Sequence, residues 1–390
     1  MITPLLSATT ATCGGKAGAL AALLRAGLPV PRAFVVPFAA HEAHAVDARA
    51  LSGALRSKLA EALTALGDPQ VAVRSSAAHE DTAEASAAGQ YESVLAVRGA
   101  AEVDAAIRRC WAAARETQVA EYWRQLTGEA PEDPDIAVIV QQLVDADASG
   151  VMFTPATTGG ATRIEASWGL GPSVVGGTVT PDTWQIGPDG TARPALGHKT
   201  TRVDRRPGRG GLAVSEVPAH RQDVPAIDEA SAGKLAALGR QAATILGGPQ
   251  DIEWAIAGGR IWILQSRPIT APAPPLPHHD RAAGGPTLTG TPGAHGRLTA
   301  PARVLRSTSE LSHLQHGDIL VCRYTDPSWT PAFRIATGIV TETGGALSHA
   351  AIVAREHQIP AVIGVPDATT AIRDGQIITI DGTRGTVTPS

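Results

Sequence analysis

The sequence predicts an α/β (α+β) protein built as two bodies, and three observations predict it. Helical and extended patterns alternate over residues 1–270, a stretch rich in proline and glycine fills 271–286, and short apolar strands around one good helix occupy 287–390. At 390 residues the chain is also longer than one core of roughly 250–300 residues supports.

In chain order, Lys16 to Ala26 carries helical apolar spacing at Leu20, Leu23 and Leu24 and stops at Gly27, where a left-handed cap forms readily. Ala33–Val36, Val71–Val73 and Ile136–Val140 are short apolar runs bounded by turn residues, the pattern of buried strands. Ile252–Ile256 and Arg260–Gln265 flank Ala257-Gly258-Gly259, a hairpin signal with glycine where positive φ is needed. In APAPPLPHHDRAAGGP (271–286) prolines favour extended chain and glycines add swivel, so the stretch reads as a flexible linker, with His278 and His279 as solvated linker residues. Beyond it, Gly317–Val321, Gly338–Val340, Ala361–Val365 and Ile377–Ile380 read as strands and His349–Glu356 as a helix.

Composition narrows the function classes. Hydrophobic residues at 43% and charged residues at 18% suit a globular chain rather than a disordered one. A net charge of −4 supplies no global basic field, so neither nucleic acid nor an anionic membrane is an expected partner. Cys13, Cys110 and Cys322 are odd in number and lack CxxC spacing, which argues against a disulfide framework or structural zinc and for a reducing, cytoplasmic setting. The first residues show no basic segment ahead of a long apolar one, and no run of about 18 apolar residues occurs.

The sharpest chemistry lies in TGGALSHAAIVARE (343–356). Gly344 and Gly345 permit a tight, exposed loop, Ser348 is a candidate N-cap, and His349 falls in the first helical turn. Free backbone amides and the helix dipole there would stabilise an anion and disfavour imidazolium, leaving a neutral nucleophile. On these residues alone a surface or capping histidine is the commoner reading. Gly14-Gly15-Lys16 is a weak phosphate-loop signal without GxxxxGK[ST] spacing, and a solvated lysine fits it as well. Arg74 leaves the end of a strand, where its planar fork suits a polyphosphate and a purely structural arginine fits as well. Glu253 and Gln265 stand on paired hairpin strands, so in-register pairing would bring two hard oxygens together for Mg2+, with Arg267 on the same face; on these residues alone an ordinary surface strand face is the commoner reading.

TGGALSHAAIVAREHQIPAVIGV (343–365) resembles the phosphohistidine signature of the phosphoenolpyruvate-utilising family, which includes phosphoenolpyruvate synthase, pyruvate phosphate dikinase and rifampicin phosphotransferase. Asp374-Gly375 and Asp381-Gly382-Thr383 with Gly385 are similar to the end of the same domain. The resemblance implies a two-part ATP-grasp-like nucleotide-binding module (1–270), the linker (271–286) and a small swivelling α/β phosphohistidine domain (287–390), with His349 the phosphorylated residue. GGKAGALAALLRAGLPVPRAFVV is similar to the family's opening, implying Lys16 on ATP phosphates. VRSSAAHEDTAEASAAGQYESVL resembles its VRSS…ED…AGQ…E block, implying Arg74 on the phosphates, the Gly89–Ser93 loop over the nucleotide and, further on, Gln141 near adenine. The DIEW…LQxRP resemblance implies Glu253 and Gln265 as metal ligands and Arg267 as the catalytic arginine.

There are departures. Leu347 stands where the dikinase has threonine before Ser-His, so control through that threonine does not carry over. Pro172 replaces the usual acidic residue of GLGE; Glu165 and Lys199 are lesser site candidates. The implied activity is an ATP-dependent phosphotransferase of dikinase type, using ATP and Mg2+. It moves the β-phosphoryl group through His349 to a small-molecule acceptor and releases AMP and phosphate. Larger members carry a further acceptor-binding domain, and no segment of these 390 residues reads as a barrel of about 250 residues. A separate acceptor-domain protein is therefore a second expected partner. The alternatives are a phosphocarrier subunit of a split system and an ATP-grasp ligase, which would yield ADP rather than AMP.

Overall fold

The computed structural model describes residues 2–45, 51–78, 93–113, 135–157, 159–207, 210–270, 274 and 287–389. Gly89, His278, His279 and all of 271–286 except Pro274 lie outside these residues.

Two antiparallel sheets and their helices form the first part. Strands β1 (Thr3–Pro4), β2 (Ala33–Val36), β3 (Val71–Ala77), β4 (Ser93–Val97) and β5 (Ile136–Gln142) make one sheet in the order β1-β2-β5-β3-β4. Its central strand explains its own apolar run. Ala137 and Ile139 face a core shared with the second sheet, while Ile136, Val138 and Val140 face the opposite core. A strand buried on both faces needs apolar side chains at every position, not at every other one.

Helix α1 (Thr10–Arg25) puts Leu20 and Leu23 into the shared core. It begins earlier than the apolar spacing predicts and is kinked at Gly14, whose φ is 81°. A Cβ there would overlap the Ser76 carbonyl at the end of β3, so only glycine lets the GGK segment lean on that strand. Helices α2 (Phe38–Ala45), α3 (Gly53–Leu66) and α4 (Ala100–Ala113) follow, and α3 and α4 cover the far face. Ser52 accepts a hydrogen bond from the Leu55 amide and Gly67 closes α3 in the left-handed region.

The second sheet joins β6 (Ala148–Phe153), β7 (Thr162–Trp168), β8 (Asp182–Ile186), β9 (Ala192–Ala195), β12 (Gln250–Ala257) and β13 (Arg260–Pro268) in the order β13-β12-β6-β7-β8-β9. A ribbon of β10 (Thr201–Arg205) and β11 (Leu212–Glu216) stands beside it. Short helices α5 (Pro172–Val175) and α6 (Ala219–Gln222) precede α7 (Glu229–Leu246), which packs on the sheet through Ala232, Leu235 and Ala236.

The remaining residues form one mixed eight-stranded sheet. Its strands are β14 (Leu288–Thr289), β15 (Thr291–Ala294), β16 (Arg297–Val304), β17 (Ile319–Cys322), β18 (Gly338–Thr341), β19 (Ala361–Ile363), β20 (Ile377–Asp381) and β21 (Thr386–Pro389), ordered β14-β21-β20-β16-β17-β18-β19-β15. The run β16-β17-β18-β19 is parallel. Side chains alternate between two cores: Leu320 and Ile339 face one, Val321 and Val340 the other. Helix α8 (His349–Glu356) spans the residues its sequence predicts and buries Ala350, Ala351, Val353 and Ala354 in the first of these cores. Among the described residues no helix is long and apolar enough to cross a membrane, and all three cysteines are buried.

Candidate active site

The hairpin β12–β13 builds the reactive end of the cleft. Ala257 pairs with Arg260 around Gly258 and Gly259, both at positive φ, and pairing runs in simple register up to Trp254 and Ile263. One bulge then leaves Leu264 without a partner and sets Glu253 opposite Gln265. Without it, Glu253 would face Leu264 and the two polar side chains would lie on opposite sides of the sheet. The next pair on that face is Asp251 opposite Arg267.

These groups meet Arg74 and Lys16. Arg74 Nη1 donates to Glu253 Oε2 at 2.8 Å and to Gln265 Oε1 at 3.0 Å. Arg267 is held by Asp251, with Nε 2.9 Å from Asp251 Oδ2. Lys16 is buried and lines the same cleft. Burial by itself would raise the Glu253 carboxyl, but Arg74, Arg267 and Lys16 overcome it and hold the group below the ordinary carboxylate range. Three cations thus face two carboxylates, so the cleft as built attracts an anion. Glu253 Oε2 and Gln265 Oε1 converge on one cationic nitrogen, so this pair of oxygens could hold a cation.

The cleft has a volume of about 390 Å³, and its other end is apolar. Ala72, Leu95, Leu143, Ala146, Leu170 and Leu264 line it, a surface suited to a planar ring. Gln141 is buried there and donates from Nε2 to the Leu264 carbonyl at 3.3 Å, so the bulged residue also anchors this wall. Ser93, opposite Arg74 across β3 and β4, reaches the cleft from an exposed position. Pro172 also lines it.

His349 closes the cleft from the C-terminal part. Its ring lines the same space as Lys16, Arg74, Glu253, Gln265 and Arg267. Nδ1 lies 3.0 Å from Thr325 Oγ1, the Phe333 ring meets the imidazole edge-on at 6.0 Å, and Nε2 has no hydrogen-bond partner among the described residues. Burial lowers the imidazole to about 4 against a smaller upward pull from Asp326, so the ring is neutral at pH 7.

Three expectations need correcting, and one contact was not expected. The loop before His349 is buried, not exposed, because Gly177, Val174 and Glu165 of the N-terminal part cover it. Ser348 stands at the N-cap position, yet its hydroxyl donates to the Gly345 carbonyl rather than capping the helix. The Ala346 and Leu347 amides are met by the Glu165 carboxylate. Lys199 does not line the cleft: it is fully buried, with Nζ 2.5 Å from Asp182 Oδ1.

Sequence reasoning also missed Asp251, Thr325 and Phe333. Asp251 was accessible through the strand period, two residues before Glu253 and opposite Arg267. Thr325 and Phe333 approach His349 from loops that no local pattern links to it.

A model of the pyruvate phosphate dikinase AMP/ATP-binding domain matches residues 43–278, and one of the PEP-utilising enzyme mobile domain matches residues 314–385. The chain belongs to the pyruvate phosphate dikinase and PEP-utilising enzyme family. It is 35% identical over 96% of its length to a probable phosphoenolpyruvate synthase of Methanothermobacter thermautotrophicus, covering 61% of that protein. A probable phosphoenolpyruvate synthase of Archaeoglobus fulgidus is 39% identical over 81% of the chain and 43% of the relative. The phosphoenolpyruvate synthase of Aeropyrum pernix is 33% identical over 96% and 56%. The chain therefore spans about half the length of these relatives. Both family matches fall on the two parts that meet at the cleft: the first contains Arg74, Glu253 and Arg267, the second His349.

Proposed function

We propose that this chain is an ATP-dependent phosphotransferase of dikinase type that carries the β-phosphoryl group of ATP on His349. The observation that carries the reading is the position of His349, a neutral imidazole that lines the cleft gathering Lys16, Arg74 and Arg267 and whose buried Nε2 has no hydrogen-bond partner among the described residues.

With the imidazole proton on Nδ1, shared with Thr325, the Nε2 lone pair attacks the β-phosphorus. The bond from the β-phosphorus to the bridging oxygen breaks and AMP departs with its electron pair, leaving a pyrophosphorylated histidine. Transfer of the terminal phosphoryl group to water or inorganic phosphate then leaves phosphohistidine. Lys16, Arg74 and Arg267 neutralise the transferring group, so catalysis here is positioning and electrostatics. Glu253 and Gln265 would hold Mg2+, which supplies further charge neutralisation.

Delivery to an acceptor requires His349 to leave the cleft. In this reading 287–390 swivels as a body on the 271–286 linker, a hinged movement. The acceptor is a small molecule, met directly or on a separate acceptor-domain protein. The relatives' name makes pyruvate the first acceptor to assay. ATP turnover by wild type and His349→Ala tests the scheme. It requires AMP from the wild type and none from the variant; AMP at the wild-type rate from His349→Ala would overturn it.

A further inference from the structure

Glu165 is a buried carboxylate to which the transfer chemistry gives no task. It rises from the middle of β7 in the N-terminal part and is fully buried. The Leu347 amide donates to both of its oxygens, at 3.3 and 3.2 Å, and the Ala346 amide donates as well. A Cβ on Gly345 would overlap the same carboxylate, so the glycine that sequence reading assigns to loop tightness also admits a side chain from the other part. Beside this contact the Leu347 side chain packs with Val151, Phe153 and Val174 of the N-terminal part.

The loop is braced from its own side too. Arg355 on α8 donates from Nη1 to the Ala346 and Gly293 carbonyls, both at 2.8 Å. Arg163, two residues before Glu165 on β7, and Arg355 are the cations that act on the Glu165 carboxylate. His349 follows Leu347 by two residues, so wherever the Ala346 and Leu347 amides are fixed, the imidazole is fixed with them.

We propose that Glu165 is the positioning residue of the phosphohistidine loop. By receiving the Ala346 and Leu347 amides it sets the point from which His349 reaches the triphosphate, and it thereby registers one part of the molecule on the other. Two physical arguments support this. Buried amides without an acceptor are costly, so the loop settles where the carboxylate meets them. A reacting atom misplaced by about 1 Å loses on the order of 100-fold in rate, so a contact this close to the nucleophile acts on the chemistry without touching it. The inference rests on the phosphohistidine reading above.

The test uses the full chain and the variants Glu165→Ala and Glu165→Gln. It measures single-turnover phosphorylation of His349 by ATP, affinity for a non-hydrolysable ATP analogue, and amide hydrogen exchange. Glu165→Ala should slow phosphorylation by about 100-fold, with analogue affinity within about twofold of wild type. Exchange at Ala346 and Leu347 should accelerate while Ile352, bonded within its own helix to the Ser348 carbonyl, stays protected. Glu165→Gln keeps one acceptor oxygen and should recover about tenfold of the lost rate. Wild-type phosphorylation in Glu165→Ala would overturn the proposal, as would a joint loss of analogue affinity and Ile352 protection, which marks general damage. If wild type takes up no phosphate, the transfer reading fails and exchange alone decides the contact: unchanged Ala346 and Leu347 protection in Glu165→Ala then refutes it.

Discussion

His349 Nδ1 lies 3.0 Å from Thr325 Oγ1, while the other ring nitrogen, Nε2, has no hydrogen-bond partner among the described residues. A proton held on Nδ1 leaves Nε2 with its lone pair, whereas the other tautomer would present an N–H to the phosphorus. Replacing Thr325 by Val removes the oxygen at nearly constant shape. Its phosphorylation rate should fall about tenfold to 100-fold with KM for ATP unchanged, and Thr325→Ser should restore it. Pre-steady-state phosphorylation of the three proteins checks this.

Magnesium should bind with the nucleotide and not before it. Arg74 Nη1 occupies the position between Glu253 Oε2 and Gln265 Oε1, and three cations surround that single carboxylate. A dication entering alone meets net repulsion; a triphosphate that draws the arginine and lysine charges removes it. Calorimetric titration with MgCl2 should show no saturable heat for the free protein and a saturable one with a non-hydrolysable ATP analogue. Glu253→Gln should abolish the second.

The short-range parts of this architecture were legible and the cross-chain parts were not. The α8 boundaries follow from local patterning, as does the β12–β13 hairpin with its paired glycines. The pairing of Glu253 with Gln265 was also expected, although the bulge at Leu264 that produces it has no signature in the residues. Gly345 misled because a glycine pair signals a tight turn equally well in solvent and under another body; its neighbour Glu165 lies 180 residues away in sequence. Lys199 misled for a similar reason, since nothing near it announces Asp182 as its partner.

Lys199 should matter for stability alone. Asp182 accepts from Lys199 Nζ, the Gly197 amide and the Ala226 amide, a buried knot away from the nucleotide cleft. Lys199→Met leaves a buried carboxylate without its cation and should cost about 3–5 kcal/mol in urea unfolding. Affinity for ATP should stay at the wild-type value under conditions where the variant is folded.

Two buried groups give opposite pH dependences. Burial raises Glu165 from 4.5 to about 7 despite Arg163, the two amides and Arg355, so the folded protein takes up this proton first and gains stability as pH falls from 7 to 4.5. Burial lowers His349 from 6.5 to about 4, so its contribution is lost as pH falls through that window. Relative to wild type, Glu165→Gln should therefore weaken progressively between pH 8 and pH 5, by up to about 3 kcal/mol, and His349→Ala should strengthen. Unfolding midpoints across that range check the signs; differences independent of pH would contradict them.

Phosphorylation of the chain by ATP carrying label at the β or at the γ position tests the central claim most directly. After the terminal group is lost to water or inorganic phosphate, β-label should remain on His349, γ-label should be gone, and AMP should appear in step with β-incorporation. Lasting γ-label on the protein with ADP as the product, or β-label retained by His349→Ala, would contradict it.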